Sequence, residues 1–405
     1  MQRTPEVNSK KHLWWCSILH VINDGYVASL ALLLPFIAKD LNLTYTESGL
    51  LKTAIHGAIS ISQVPAGFLA ERLGNIVMLG IGALWFSCSY MILFFAFSYS
   101  LTLVLVISAG VGGGVYHPVG TALVSNVYVG DKSGSAISTL NFFGDVGKAI
   151  FPFLAGVLVI RFGWRVNCAV LGIVGLGISV LYLFLFRQEI CLKRFLPEGL
   201  VGEGEFGKTS GRWGIVQPSQ FNLYLFLGIL DSGIRSAITT FLGFLLIEKI
   251  GVREKAVGGM MSLVFMGGAL GKLLCGLPIQ RFGVKKIILV TEMLMVLGCF
   301  VLPAISSKWI LLLFLPLFGL VLNGTSSVIY VGVASTLGSE FRSRGYALHY
   351  TFSFLSSAVS PYLFGLVGDS YALDVIFYVA AVVMLLGFPL LPFLKERGCL
   401  GKKSQ

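Results

Sequence analysis

The sequence predicts an all-α integral membrane protein with twelve transmembrane helices in two pseudo-symmetric six-helix bundles. Three observations predict it. Hydrophobic residues make up 56% of the chain and charged residues 12%, against about 25% charged in soluble proteins. The apolar residues fall in runs of about 20, the length that crosses a bilayer core as a helix whose backbone groups satisfy one another. The chain also repeats itself at an offset of 209 residues.

The runs place helices at roughly 13–38, 46–70, 76–97, 101–128, 135–160, 165–187, 220–247, 256–278, 284–305, 309–336, 345–368 and 373–394. Gly49, Gly57, Gly110, Gly112, Gly113 and Gly114 lie inside such runs. Small residues there let neighbouring helices approach closely in lipid. The only long connection is 188–219, which carries six glycines and mixed charges. It reads as a flexible linker. The chain therefore divides into an N-terminal bundle at 1–187, a linker at 188–219 and a C-terminal bundle at 220–405.

Basic residues set the expected topology. With the N-terminus inside, 19 Lys and Arg fall on the inner side and 7 on the outer. That bias predicts cytoplasmic N- and C-termini in a plasma (inner) membrane protein. The net charge of +11 is mostly inner-face Lys and Arg, so the expected partner is the lipid bilayer and not nucleic acid. The first apolar segment is too long for a cleavable signal peptide. The seven cysteines are scattered with no metal or disulfide spacing. Neither a cofactor nor a metal is expected, and the glycine run at 110–114 lacks the strand that a dinucleotide motif needs.

The repeat is clearest in one short loop. Gly67-Phe68-Leu69-Ala70-Glu71-Arg72-Leu73-Gly74 matches Gly276-Leu277-Pro278-Ile279-Gln280-Arg281-Phe282-Gly283. The same offset pairs Gly110 with Gly319, Pro152 with Pro361 and Gly156 with Gly365. Two like halves suggest a transporter with its site between them. Six plus six helices, a long central loop and the Gly-x-x-x-acid-Arg-x-Gly loop resemble the major facilitator superfamily over essentially the whole chain. The resemblance implies the major facilitator fold and a gating role for Gly67, Glu71, Arg72 and Gly74, and for Gly276, Arg281 and Gly283. The second copy has Gln280 in place of the acid, while Asn75 and Ile76 replace the usual basic residues of the first.

Two further stretches, His20-Val21-Ile22-Asn23-Asp24 and Val115-Tyr116-His117-Pro118, resemble the fosmidomycin-resistance branch of that superfamily. That branch is similar to drug exporters driven by proton exchange. Gly147 and Phe151-Pro152-x-x-Ala155-Gly156 look like the superfamily's antiporter motif, with Phe151 and Ala155 where glycines are usual.

Chemistry is expected at the intramembrane charges, because a charge at the bilayer centre costs roughly 2.5–3.5 kcal/mol on insertion scales. Asp24 falls near the middle of the first helix with His20 one turn earlier. A carboxyl at that depth can exchange protons as its surroundings change. The alternative is an Asp that only bonds a neighbouring helix. Asn141, Asp145 and Lys148 form one stripe on the fifth helix. Lys148 would hold a substrate anion while Asp145 carries a proton, or the two would close on each other as a packing pair. Asp231 and Arg235 repeat the pattern on the seventh helix, with the same two readings. Tyr116, His117 and His56 are further candidate substrate contacts, each with a packing alternative. Lys52 and Lys272 read as snorkelling side chains or contacts. Glu292 and His349 are weaker candidates, and the resemblance implies that the ninth helix, which carries Glu292, is peripheral.

The function expected is proton-coupled secondary transport of a small, anionic organic molecule by alternating access, with export favoured. Uptake of an organic acid in symport with protons is the alternative, and a non-transporting membrane sensor on the same fold is the other class. No enzyme activity is expected. The expected partners are a small-molecule substrate, protons and lipid, with the protein acting as a monomer.

Overall fold

The structure, a computed structural model, describes residues 9–128, 131–193, 214–275, 277–337 and 342–395. Its helices are α1 (Ser9–Leu41), α2 (Tyr45–Leu73), α3 (Asn75–Ile92), α4 (Tyr99–Gly113), α5 (Tyr116–Val127), α6 (Asp131–Leu185), α7 (Arg187–Lys193), α8 (Pro218–Phe244), α9 (Glu254–Leu274), α10 (Ile279–Val301), α11 (Lys308–Ser335), α12 (Arg342–Ser370) and α13 (Leu373–Leu385). Among the described residues the only β pairing is an isolated bridge between Ile215 and Leu337. Most of the predicted linker lies outside the described residues, but its start is helical in α7.

Ten of the described helical segments are long and apolar enough to cross a membrane. One of them, Thr139–Leu185, is 47 residues long. It supplies both the fifth and the sixth predicted crossings, because the chain folds back at Gly163. That residue has φ 78°, a left-handed conformation open to glycine at little cost. Asn167 then donates to the Ala155 carbonyl oxygen at 2.7 Å, across the reversal. The second predicted crossing is α2, which is more polar and starts with a Thr44–Glu47 capping box. The fourth is not one straight helix. It breaks at Gly114 and Val115 between α4 and α5, one turn before Pro118, which has no N–H to offer the Gly114 carbonyl. The last helix ends at Leu385 and continues as a 3₁₀ turn over Phe388–Phe393.

The repeat seen in sequence is a repeat of contacts. Gly110 on α4 packs on the Ile55 carbonyl of α2, and Gly319 on α11 packs on the Val264 carbonyl of α9. The two pairs are related by the 209-residue offset. Gly74 and Gly283 both adopt left-handed φ, 88° and 78°, at the matching turns after α2 and within α10. An L side chain there would be strained. Gly276 lies outside the described residues, as do the side chains of Glu71 and Gln280. Arg72 and Arg281 are exposed.

The two halves meet at one end of the molecule. Gly258 of α9 abuts Gly156 and the Pro152 carbonyl of α6, and Gly49 of α2 abuts the Pro361 carbonyl of α12. These contacts are again exchanged by the repeat. Beyond them, the Asp369 carboxylate accepts from the backbone N–H groups of Tyr45 and Thr46 at 2.8 Å each. Tyr45 donates to Glu248 at 2.6 Å and Lys39 pairs with Glu254 at 3.0 Å. One hydrophobic core runs through both halves here, from Leu30, Leu33 and Leu51 to Phe241, Val257 and Phe364. Toward the chain termini the core splits. Cys16, Leu79 and Phe186 belong to a cluster of the N-terminal half, and Phe221, Ile288 and Leu391 to one of the C-terminal half. The halves thus diverge toward the end that carries α7 and the first turn of α1, and the exposed Ile61, Val64 and Phe68 of α2 lie on that side.

Gly258→Leu should break the closed end. A side chain there meets the α6 backbone, which cannot yield. Overpacking should cost about 1–3 kcal/mol and lower the thermal midpoint. It should also open the sealed end to a membrane-impermeant thiol reagent at a cysteine placed on Tyr45. Gly177→Ala, where the space is open, should change neither. Equal behaviour of the two variants would show that the glycine contact does not hold the halves together.

Candidate functional site

Asp24, Lys148 and Asp145 of the N-terminal half form one connected group. The group rests on close approach of α6 to α1. Gly147 of α6 packs on the Val21 backbone, and a Cβ on Gly144 would lie 2.6 Å from His20 Nε2 and 2.9 Å from Asp24 Oδ2. Asp24 is therefore not the isolated carboxylate that its position on the helix suggests. Its side chain is only 7% exposed and has several partners. Lys148 Nζ lies 2.9 Å from Oδ2. His20 Nε2 is 3.4 Å from Oδ2 and His117 Nε2 is 3.6 Å from Oδ1. Asn23 donates to Oδ1 at 3.2 Å.

Lys148 continues the chain. It also contacts Asp145 Oδ1 at 3.2 Å, so the expected self-contained pair is instead one link in a series. Asp145 reaches across to the other half. Both its oxygens accept from Lys272 of α9, at 2.7 and 2.8 Å. Lys272 thus ends on a carboxylate of the opposite bundle, which replaces the snorkelling reading. The order Asp24, Lys148, Asp145, Lys272 alternates in sign across the interface. Two carboxylates face two ammonium groups, so the group is neutral when its histidines are neutral. Alternation is what low dielectric demands, because an unpaired charge there costs several kcal/mol.

The histidines are positioned with equal care. His20 Nδ1 lies 2.7 Å from the Leu140 carbonyl oxygen, so this nitrogen carries the proton and donates. Its ring stacks on Tyr116 at 4.5 Å, and the Tyr116 hydroxyl donates to the Cys16 carbonyl at 2.7 Å. Tyr116 is thereby buried as a platform and not a wall of the cleft. His20 Nε2 is left with no hydrogen-bond partner and faces Asp24. A proton bound there would complete an ion pair with that carboxylate. His20, Asp24 and His117 also bring three potential metal-ligand atoms within 4.8 Å of one another, a cluster that the sequence did not suggest. The Lys148 ammonium on the same carboxylate opposes a second cation, so the trio fits a proton better than a metal.

Exposure shows where a solute could reach. Lys148 and Lys272 are 35% and 34% exposed and His117 is 34% exposed. They face the gap between the halves, where the His117 ring also meets Phe354 of α12 at 6.3 Å. Asn141, one turn toward the open end, is exposed. His56 of α2 has a buried Nδ1 with no hydrogen-bond partner, within range of the charges of Lys52, Asp24 and Lys148. Lys52 is buried and donates to the Val27 carbonyl at 2.9 Å, so it does not snorkel. A separate apolar groove of about 730 Å³ between Phe153 of α6 and Met266 of α9 lies away from the charged group. Apolar lining suits it to lipid.

The C-terminal half holds a second group. Arg235 of α8 pairs with Asp231 Oδ2 at 3.1 Å and donates to Ser232 Oγ at 3.1 Å. Glu292, read as peripheral from sequence, is 1% exposed inside the bundle. Lys272, read from sequence as a snorkelling side chain or a contact, and Glu292 were both left out of the expected site. Lys272 had one signal, since the repeat pairs it with the polar Gln63. For Glu292 the signal was its being the one acid in the run 284–305. His349 is buried against Gly228 and beside Tyr330.

Comparison with known proteins places this geometry in context. The family model described as Major Facilitator Superfamily matches residues 13–228 and 223–402. The chain is similar to the Probable L-galactonate transporter of Escherichia coli (strain K12), 23% identical over 376 residues, covering 86% of this chain and 81% of that one. It is also similar to the Fosmidomycin resistance protein of the same organism, 22% identical over 377 residues, covering 92% and 89%. Among solved structures it superposes on a bacterial homologue of the human lysosomal transporter Spinster, in an inward-facing and occupied conformation. The TM-score is 0.76 at 12% identity, with 96% of each chain covered, and that likeness is one of fold.

The link between the halves should be measurable as a double-mutant cycle. Lys272→Met and Asp145→Asn should each lower the thermal midpoint, while the pair should fall short of their sum by roughly 0.5–3 kcal/mol. Additive effects would mean that the Asp145–Lys272 contact carries no energy.

Proposed function

Because the chain belongs to the Major Facilitator Superfamily and is a multi-pass membrane transporter, we propose that it moves a small organic anion together with a proton, by alternating access. The observation that carries this reading is the convergence of Lys148 and Lys272 on Asp145, one lysine from each half. An entering carboxylate would compete with Asp145 for both ammonium groups. It would add one negative charge to a group that is already neutral. A proton on Asp145 or Asp24, with His20 as the adjoining proton site, would restore neutrality. Anion and proton would then bind as one uncharged load, which crosses low dielectric at the least cost. Lys148, Lys272 and Asn141 would contact the substrate, with His117 and His56 at its edge and Arg235 facing it from the other half. The galactonate in the name of one relative is a carboxylate, in keeping with this class.

The distribution of Lys and Arg supports cytoplasmic termini. The open end of the cleft would then face inward, and the exposed Arg72 and Arg281 of the repeated loops would help to close it. In a plasma membrane the arrangement suits uptake of an organic acid along the proton gradient. The similarity to the Fosmidomycin resistance protein over 92% of this chain favours a second reading, export in exchange for protons.

Reconstituted protein tests both readings with a panel of organic acids beginning with L-galactonate. Under symport, an inward proton gradient should drive accumulation inside the vesicles, and under exchange it should drive efflux. Asp145→Asn should separate the charges further. Lys148 and Lys272 then face only Asp24, so the anion needs no companion proton. Transport should persist, yet lose its response to the proton gradient. Gradient-driven accumulation equal to the parent would remove Asp145 from the coupling.

A further inference from the structure

The charge balance of the C-terminal half differs from that of the N-terminal half. Asp231, Glu292 and Arg235 bring two carboxyls and one guanidinium together. Glu292 is close enough to Asp231 and Arg235 for their charges to act on it. Asp231 and Glu292 are each 1% exposed. Asp231 Oδ1 and both oxygens of Glu292 have no hydrogen-bond partner among the described residues. Three buried carboxyl oxygens of this charge-linked group thus have no hydrogen-bond donor among the described residues.

Among the described residues, Arg235 is the one cation whose charge acts on Glu292; Lys272 comes within range of Arg235 and Lys148 within range of Tyr330, but both lysines are held by Asp145. The helix of Glu292 itself contributes Cys299. From α11 comes Tyr330, within range of Asp231 and Arg235, and next to it His349 of α12. From α13, Tyr378 stacks on Phe300 and carries no charge. The described lysines of α10, Lys285 and Lys286, sit at its first turns, about two turns before Glu292. With both acids ionised the group would hold one uncompensated negative charge out of reach of water, a state that buried groups avoid by neutralising.

We propose that Asp231 and Glu292 share one bound proton, forming a second proton site in the C-terminal half that is loaded while the substrate site is empty. The proton bonds to an oxygen of one carboxyl and no other bond changes. The other carboxyl remains the counter-ion of Arg235. This deepens the reading of a proton-coupled carrier. It rests on that reading only for its part in transport, since the proton itself can be observed without any transport.

A protonated carboxyl has a C=O stretch that an ionised carboxylate lacks, so infrared spectroscopy reads the proton directly. The full chain, purified at neutral pH in a maltoside detergent that has no carbonyl of its own, should show such a band. Removing either acid leaves the other paired with Arg235 and neutral without a proton. Glu292→Gln and Asp231→Asn should therefore each abolish the band, and Asp24→Asn should retain it. Two variants read the same proton, so misfolding of one leaves the other decisive. A parent protein without the band would overturn the proposal, as would a band that survives in a folded Glu292→Gln or Asp231→Asn. Loss of the band in Asp24→Asn would also overturn it, by moving the proton to the N-terminal half.

Discussion

Lys148 is the residue on which the central architecture depends. It stands between Asp24 and Asp145 at 2.9 and 3.2 Å. Without it, two carboxylates on adjoining helices would repel one another in a medium that screens poorly. With it, α1 and α6 can pack at glycine distance, as Gly144 and Gly147 require. The ion pairing and the helix packing are therefore one constraint. The close backbone approach brings the charges together, and the charges make the close approach tolerable.

The same series of charges extends across the interface between the halves. Lys272 joins Asp145 from the opposite half, beside the point where the common core divides into two. At the closed end, the halves are held by backbone contacts at small residues and by the Asp369 carboxylate capping the start of α2. An anionic carboxylate at a helix N-terminus is favoured by the unsatisfied N–H groups there. The two halves are thus joined by capping contacts at one end and by an ion pair nearer the cleft.

The two halves use their duplicated scaffold unequally. Glycine contacts at 110 and 319, and left-handed turns at 74 and 283, are kept in both. The charges are not. The N-terminal half places its acids beside lysines and histidines in a cleft, and the C-terminal half buries Asp231 and Glu292 around a single arginine. Packing is dictated by the backbone path, which the duplication preserved. Charge placement does not set that path, so the two halves can differ in it.

The number of crossings, the duplication and the identity of the intramembrane charges were legible in the sequence. Each depends on local pattern: apolar runs of bilayer length, a fixed repeat offset, and polar residues that stand out within those runs. His20 and Asp24, one helical turn apart, were paired correctly because helix geometry alone sets that distance. Asp145 and Lys272 are 127 positions apart and belong to different bundles, so no periodicity could join them. The same limit hid the burial of Glu292, on a helix that its order in the chain made look peripheral. Only the tertiary structure decided which charge neutralises which, and at which end the halves are closed, because both follow from distances between helices that local sequence does not encode.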